Sequence, residues 1–518
     1  MSRRRSSHPL LTHIHITKIG HGGVGIAHDT QGKTILISGG VLPGSIIDAR
    51  VLKSRKDHIL AQCVHIHDIG SEYQIDTVQC PHYFFHPGAD PHNHKIGCGG
   101  CKWQIIPYPQ QLLLKYQVIS DTFHLLQDIV DRIGIFPVIP SPESFGYRNK
   151  LEYSFGKFIV GKKQSDINQA PSSIGLYTHH DRNLGFHKQG LFSKIVDIDA
   201  CLLATSSAIQ IFVHIKKLLR ASGLPVYDSK THEGLFRHLV IRQGINTGQI
   251  LINLVIKSPD QVEYAGQKFD MTDKRNQLKK VLLEDQMLAT QVTTRCVTSN
   301  DGLSDTTRSP DSQTQIWRGQ GCIQEQLSFA NTSVKFQISP FSFFQTNTHG
   351  AEVLFGTAMK LIGNYQGTVL DLYCGTGSIG LSLLAQGIGT KLIGIEIIPD
   401  AIDDAHINAK LNHLQHECYF VTGKVEHLIS QDPIIKQEKS NIGLVIVDPP
   451  RDGLHPDVIK FLCQWRQQQS FKLIYISCNP VTLCRDLGSL KEHFDITTLQ
   501  PVDMFPHTHH CEMIACMR

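Results

Sequence analysis

The sequence contains no uninterrupted apolar run of about eighteen residues, the minimum for a membrane-crossing helix. Its opening residues, MSRRRSSHPL, carry charge without the apolar stretch of a secretory leader, so the expectation is a cytoplasmic protein with no membrane partner. Charge is sparse as well: 19% of the 518 residues are Asp, Glu, Lys or Arg against 41% apolar, which excludes a chain disordered throughout and supports a sizeable core. No internal repeat is evident. The 14 cysteines are too dispersed for a disulfide scaffold, so in a reducing compartment they read as core residues, metal ligands or thiol nucleophiles. At about 150 residues per domain, the length accommodates two to four domains.

What charge there is sits unevenly. The whole chain carries +4, yet residues 1–68 hold nine Lys/Arg against four Asp, a local balance of +5 that is the footprint of a polyanion partner. From Ile14 to Ile66 short β-rich runs alternate with Gly-rich turns (IGHGGVG, SGGVLPGS) at the spacing of a small β-barrel. A Cys/His-rich loop runs from Cys80 to Cys101, and a helical periodicity from Pro109 to about Arg132. Between Tyr147 and Ile256 the segments are strand-like and include a hairpin, LVIRQ and QILINLVI around a GINTG turn. Residues 297–320 are polar and turn-forming and read as a surface loop or insertion. After Gln337 strands and helices alternate, as in a doubly wound α/β domain with a parallel sheet. The expected fold class is therefore α/β, with an OB-like β-barrel over 1–70, a β-rich central domain over 71–335 and a Rossmann-like domain over 336–518.

Chemistry-bearing motifs cluster in that last part. The strand TVLDLYCG runs into Gly375-Thr376-Gly377-Ser378-Ile379-Gly380, and Glu396 ends the next strand. Glycines there let a ligand approach the backbone, and the acid can bind a ribose hydroxyl. The motif fits either a nicotinamide dinucleotide or S-adenosylmethionine, with Asp371 before the turn in the second case. Two later strands end in Asp448-Pro449-Pro450-Arg451 and Ser477-Cys478-Asn479-Pro480, which places both at the carboxyl edge of the sheet, where such folds bind ligands. Cys478, released from the strand by Asn479 and Pro480, is a candidate nucleophile. A free thiol titrates near about 8.5, so a neighbouring group is expected to lower it. A candidate base lies in the tail DMFPHTHHCE: Glu512, with His509 and His510 as alternatives.

The segments QISPFSFFQTN, DLYCGTGSIG, DPPRDG, ISCNP and DMFPHTHHCE resemble, in order and spacing, the RNA (uracil-5)-methyltransferases. The front barrel is similar to the TRAM domain, an RNA-binding module that many of them carry. The resemblance implies that Cys478 is the nucleophile and Glu512 the base, and that Gln345, Tyr373, Ser378, Glu396 and Asp448 bind S-adenosyl-L-methionine. Ser378 stands where some relatives have Asn, and Cys511 where relatives often have Val. Cys80, Cys98, Cys101 and Cys201 match the ligands of a [4Fe-4S] cluster in the ribosomal RNA branch, although four thiolates also suit zinc. Seventeen residues separate Cys80 from Cys98 against about five in relatives, and the insertion adds His86, His92 and His94.

The implied activity is methylation of C5 of a uridine in structured RNA. Uracil C5 becomes nucleophilic when a thiolate adds to C6, so the reaction needs a cysteine, a methyl sulfonium and a base. The target nucleotide is expected to be flipped into the pocket, helped by phosphate contacts from Arg451 and the front barrel. The expected RNA partner is 23S ribosomal RNA ahead of transfer RNA, bound by a monomer. An amino-group methyltransferase would want an aromatic residue where Arg451 stands and would leave Cys478 without a role. A non-catalytic iron-sulfur RNA-binding protein would need neither Cys478 nor Glu512.

Overall fold

A computed structural model describes residues 9–70, 78–83, 97–156, 183–188, 191–264, 267–330 and 332–518. The front of the chain forms one six-stranded sheet from β1 (Leu10–His15), β2 (Lys18–Gly20), β3 (Val24–His28), β4 (Thr34–Ser38), β5 (Ile46–Ser54) and β6 (His58–Asp68), in the order β1-β5-β6-β4-β3-β2. Alternate residues turn inward, so Ile35, Ile37, Ile47 and Ala49 pack with Ile16 and Val41 in a small core. The expected barrel is not closed by a ladder: among the described residues the end strands β1 and β2 do not pair. Their linker closes the gap instead, with Ile16 N–H donating to Ser45 O (2.9 Å) and Thr17 N–H to Ile26 O (2.8 Å).

The middle holds a seven-stranded sheet of β7 (Lys150–Gly156), β8 (Asn183–Lys188), β9 (Leu191–Asp197), β10 (Phe236–Gln243), β11 (Ile250–Ile256), β14 (Thr294–Ser299) and β15 (Gln313–Arg318), ordered β15-β14-β11-β10-β7-β8-β9. The small hairpin of β12 (Val262–Tyr264) and β13 (Gln267–Phe269) lies beside it in sequence. β10 and β11 are the hairpin anticipated around GINTG. Residues 297–320 are not simply a loop, because Thr294–Ser299 and Gln313–Arg318 pair antiparallel and only the link between them is irregular. Polar side chains on the edge strand β15, exposed at Gln313, Thr314 and Gln315, had disguised it. The helical stretch expected from Pro109 is broken into Tyr108–Thr122, a 3-10 turn and Gln127–Ile133. No helix among the described residues is long and apolar enough to cross a membrane.

After the hairpin β16 (Ile323–Ser328) and β17 (Ser333–Ile338) come β18 (Thr368–Leu372), β19 (Lys391–Glu396), β20 (Cys418–Thr422), β21 (Ile442–Val447), β22 (Lys472–Ser477), β23 (Ile496–Val502) and β24 (Glu512–Met517). The last seven form one sheet, ordered β20-β19-β18-β21-β22-β24-β23, in which β18 to β22 are parallel and β24 is antiparallel to both neighbours. Near-continuous apolar runs such as TVLDL and IGLVIV follow from burial of both faces. One face carries Ile119, Phe123 and Leu126 from the helical stretch near residue 120; the other carries Leu327 and Phe336 of the β16–β17 hairpin. The chain leaves β18 toward β19 on one side and returns to β21 on the other, which opens a crevice at the carboxyl edge.

The loop between β23 and β24 is pinned by the helix Tyr108–Thr122. Lys115 Nζ donates to Asp503 Oδ1 at 2.6 Å and to Phe505 O at 3.1 Å, and neither member of the Lys115–Asp503 pair is exposed at all. Tyr108 OH donates to Asp503 Oδ2 (3.1 Å), so every oxygen of the carboxylate is used. Removing one partner of such a pair strands the other charge. Lys115→Ala is expected to cost about 3–5 kcal/mol in urea unfolding, whereas Lys18→Ala, whose Asp121 partner is exposed, is expected to cost about 1 kcal/mol or less.

Candidate active site

The turn after β18 needs left-handed backbone at three places. Gly375 (φ 55°) and Gly377 (φ 78°) supply two of them, and Tyr373 takes the third at φ 66°, an uncommon conformation for an aromatic residue. Ser378 opens the helix Ser378–Ala385. Asp371 Oδ2 accepts the Gly380 N–H at 3.1 Å, and a Cβ at Gly380 would stand 2.9 Å from that oxygen, so glycine is required there. The Glu396 carboxylate is fixed at the end of β19 by the N–H groups of Ile397 (2.8 Å), Ile398 (2.9 Å) and Gly375 (3.2 Å). The loop that precedes the helix Thr348–Ile362 is set by Arg242, buried without a carboxylate hydrogen-bonded to it, whose Nη1 donates to Ser339 O and Ser342 O at 2.7 Å each.

These segments line one cavity of about 1420 Å³. Every residue that the sequence assigned to catalysis or cofactor binding borders it: Gln345, Tyr373, Ser378, Glu396, Asp448, Cys478 and Glu512. The wall also includes Phe343, Ile397 and Ile398, apolar side chains that are more than half exposed. Sequence reasoning missed them because apolar residues in a motif read as core; only their place beside Glu396 and in the FSFFQ run marks them. Lys102, Arg148 and Arg308 were missed too, since they come from distant segments.

Antiparallel pairing of β22 with β24 sets Ser477 opposite Met513, so the next step in register brings Cys478 to Glu512. Asn479 fastens the Cys478 turn: its Oδ1 accepts the Val481 N–H (3.1 Å) and caps the following helix, while its Nδ2 donates to Arg451 O (2.9 Å). Burial pushes the Glu512 carboxyl up to about 8, with Asp448 adding to the rise and Arg451 opposing it. Burial likewise lifts Asp448 to about 7 and Asp371 to about 8. The expectation that a neighbour lowers Cys478 is not met. Burial, then Glu512 and Asp448, push it up to about 11, and Arg451 pulls the other way without prevailing. Two carboxyl groups on the cavity wall, Asp448 and Glu512, thus resist ionisation, as does Asp371, which holds the Gly380 N–H.

The tail histidines sit in a different setting. Gln111 accepts the His507 N–H at 2.8 Å, and His507 O accepts the N–H groups of Lys102 and Trp103 at 3.0 Å each. Burial drives His509 down to about 2 and His510 to about 4, so both rings are neutral near pH 7. The turn of the front sheet reaches this place: a Cβ on Gly23 would lie 3.0 Å from His509 Cβ.

Cys80, Cys98, Cys101 and Cys201 line a second cavity of about 750 Å³. His82 Nε2 and Asp199 Oδ1, 2.6 Å apart, tie the Cys80 and Cys201 segments together, and Gly100 N–H donates to Cys98 Sγ at 3.3 Å. Burial raises all four thiols, Cys98 to about 12, and the other sulfurs contribute at Cys80, Cys98 and Cys101. No three of these sulfurs lie within 4.8 Å of one another. One tetrahedral zinc needs sulfurs about 3.8 Å apart, so the set is wider than a single zinc site. His86, His92 and His94 lie outside the described residues.

The chain is similar to known proteins over nearly its whole length. The family model tRNA (Uracil-5-)-methyltransferase matches residues 306–517. A protein of Clostridium tetani described as an uncharacterized RNA methyltransferase is 32% identical over 98% of this chain and 97% of its own. Another of the same description from Clostridium acetobutylicum is 34% identical over 96% of this chain and 94% of its own. Among solved structures, the Pyrococcus abyssi tRNA (uracil-54, C5)-methyltransferase in complex with S-adenosyl-L-homocysteine superposes with a TM-score of 0.66 at 24% identity, covering 98% of this chain and all of that one.

With its thiol raised to about 11, Cys478 is expected to react slowly with iodoacetamide at pH 7, and faster with each step to pH 9 without a plateau. Arg451→Met removes the one charge that favours the thiolate and should slow labelling further, measured by mass spectrometry of the Cys478 peptide. A plateau below pH 8 in the intact protein contradicts the burial argument.

Proposed function

Because the chain belongs to the RNA (uracil-5)-methyltransferase family and is an S-adenosylmethionine-dependent RNA methyltransferase, we propose that it methylates C5 of a uridine in 23S ribosomal RNA through a covalent bond from Cys478 to C6. The observation that carries this reading is the register of β22 against β24, which brings a thiol and a carboxyl group together on the wall of one cavity. S-adenosylmethionine supplies an electrophilic methyl group on a cationic sulfur, and the carboxyl groups of Asp448 and Glu512 on the cavity wall suit that charge. Glu396 is placed for a ribose, while Ile397, Ile398 and Phe343 offer apolar surface to a flat ring.

Cys478 Sγ, as thiolate, adds to C6 and turns the C5–C4–O4 unit into an enolate. C5 then takes the methyl group, and S-adenosylhomocysteine leaves with the electron pair of the broken S–C bond. Glu512 removes the C5 proton, the C5–C6 double bond reforms, and Cys478 departs as thiolate. Arg451, the charge that already favours the thiolate, assists both its addition and its departure. A base titrating near 8 matches this work at neutral pH better than His509 or His510, whose acidities leave little basicity.

RNA is taken by the TRAM-like front sheet, whose Gly23 turn meets His509 of the cavity wall, and by Lys102, Arg148 and Arg451 on that wall. The three parts, 1–70, 71–335 and 336–518, divide RNA contact, metal holding and methyl transfer. Cys80, Cys98, Cys101 and Cys201 hold a [4Fe-4S] cluster, whose wider span suits sulfurs too far apart for one zinc. Its role is to fix the loop that runs on through Lys102 and Trp103 to His507. A transfer RNA uridine is the second reading, favoured by the names of the matching family and of the Pyrococcus neighbour. A non-catalytic iron-sulfur RNA-binding protein would have no use for the Cys478–Glu512 pair.

Mapping 5-methyluridine in total RNA from cells with and without the gene tests the target, and a loss confined to transfer RNA overturns the ribosomal assignment. RNA carrying 5-fluorouridine should form a denaturation-resistant adduct with the intact enzyme and none with Cys478→Ala.

Glu512→Gln should still add and methylate but fail to release, accumulating a methylated protein–RNA adduct. Since the carboxylate is the working form and titrates at about 8, adduct decay in the unaltered enzyme should quicken as pH rises through 8 and then level. Normal turnover by Glu512→Gln removes the base assignment.

Protein prepared without oxygen should be brown, with iron exceeding zinc, and Cys98→Ser should bleach it and destabilise the central part.

A further inference from the structure

The front sheet carries a cluster that borders neither cavity. β1, β5 and β6 lie side by side, and Asp48 stands in the middle strand. In β1, Leu11 pairs with Ala49 and Ile14 with Ile47, so Thr12 and His13 together oppose the single Asp48. In β6, Ile66 pairs with Ile47 but Asp68 with Ile46, so His67 is an extra residue there. Two bulges therefore flank one aspartate, and each of them turns a histidine onto it. Bulges commonly re-aim a side chain in this way. His13 also adopts φ 53°, a conformation rare outside glycine and retained only where the surroundings impose it.

One ligand atom from each of His13, Asp48 and His67 lies within 4.8 Å of the others. The two rings stack with centroids 4.4 Å apart, and His65, the register partner of Asp48, stands edge-on to His67 at 4.4 Å. His67 Nε2 (2.8 Å) and the His13 N–H (2.9 Å) both meet Asp48 Oδ1. Among the described residues Asp48 Oδ2 accepts no hydrogen bond, and no ring nitrogen of His13 makes one. A carboxylate with a free oxygen and two or three imidazoles is a borderline-soft donor set of the kind that takes zinc rather than calcium or magnesium. Tetrahedral zinc needs nitrogens about 3.3 Å apart, a contraction that the exposed rings of His13 and His67 can make by rotating about their side-chain bonds.

We propose that His13, Asp48 and His67, with His65 as the available fourth ligand, form a binding site for one divalent transition metal ion of the zinc class. The ion staples edge strand β1 to β6 across β5. A module whose core is essentially Ile16, Ala27, Ile35, Ile37, Val41, Ile47, Ala49 and Ala61 is small enough to benefit from such a staple.

The test uses the full-length protein as isolated, with its thiolate-bound metal in place. Zinc titration by calorimetry should show one further equivalent. Cobalt at the same site should give visible bands without thiolate-to-cobalt charge transfer. Even partners one step removed from a metal are worth about 10–100-fold in affinity, so His13→Ala, Asp48→Asn and His67→Ala should each weaken zinc by about 100-fold or more while thiolate-bound metal stays unchanged. Added zinc should raise Tm in the unaltered protein and not in the variants. His13 and His67 are exposed, and Asp48, although partly buried, keeps one oxygen free of hydrogen bonds, so the variants are expected to fold, which circular dichroism checks. Absence of the further equivalent, or its persistence in the variants, overturns the site.

Discussion

Much of the molecule hangs on an ion pair between residues 388 positions apart. Lys115 and Asp503, wholly buried, hold the loop from β23 to β24 against the helix that follows the cysteine loop. The same loop receives two backbone hydrogen bonds from Lys102 and Trp103, next in sequence to Cys101. A buried pair of this kind contributes little net stability compared with an apolar replacement, but it tolerates only one arrangement of its partners. Its value here is positional. It fixes where β24 begins, and hence where Glu512 stands relative to Cys478. A disturbance at the cysteine cavity has a short path, one peptide link and two backbone hydrogen bonds, to the tail that carries His507 and Glu512.

Charge completes the picture. Asp448 raises both Glu512 and Cys478, Glu512 raises Cys478 as well, and Arg451 opposes the rise at both. A cationic guest beside them would reverse these shifts. Once such a guest is bound, its charge favours the ionised forms of both the carboxylates and the thiol. Under the proposed reaction, the order of binding then has a simple electrostatic basis: the Cys478 thiol gains acidity once the cationic methyl donor is in place.

Local chemistry was readable in the sequence where the chain carries it in one stretch. The turn Gly375–Gly380 follows β18 and Cys478 follows β22, whereas Cys201, a hundred residues beyond Cys101, joined Cys80, Cys98 and Cys101 only through the family resemblance before the four met in one cavity. What escaped depends on residues that meet only in three dimensions. The upward shift of Cys478 comes from burial and from Glu512 and Asp448, on other strands. β15 escaped because an edge strand can be polar along its length, and the front sheet looked like a closed barrel because alternation reports the inward face but not whether the ends meet. The His13–Asp48–His67 cluster is invisible in one dimension, since bulges leave no periodic trace.

The position of β24 has a consequence for the order in which the protein is made. β24 is the last of its sheet's strands in the sequence, yet it lies between β22 and β23. During synthesis β23 therefore emerges before its ladder partner β24, and both it and β22 wait with an open edge. The late strand fills the gap and delivers Glu512 beside Cys478 in the same motion. A chain still being translated thus has the Cys478 thiol without the Glu512 carboxyl beside it, so closure of the sheet and assembly of that pair are one event.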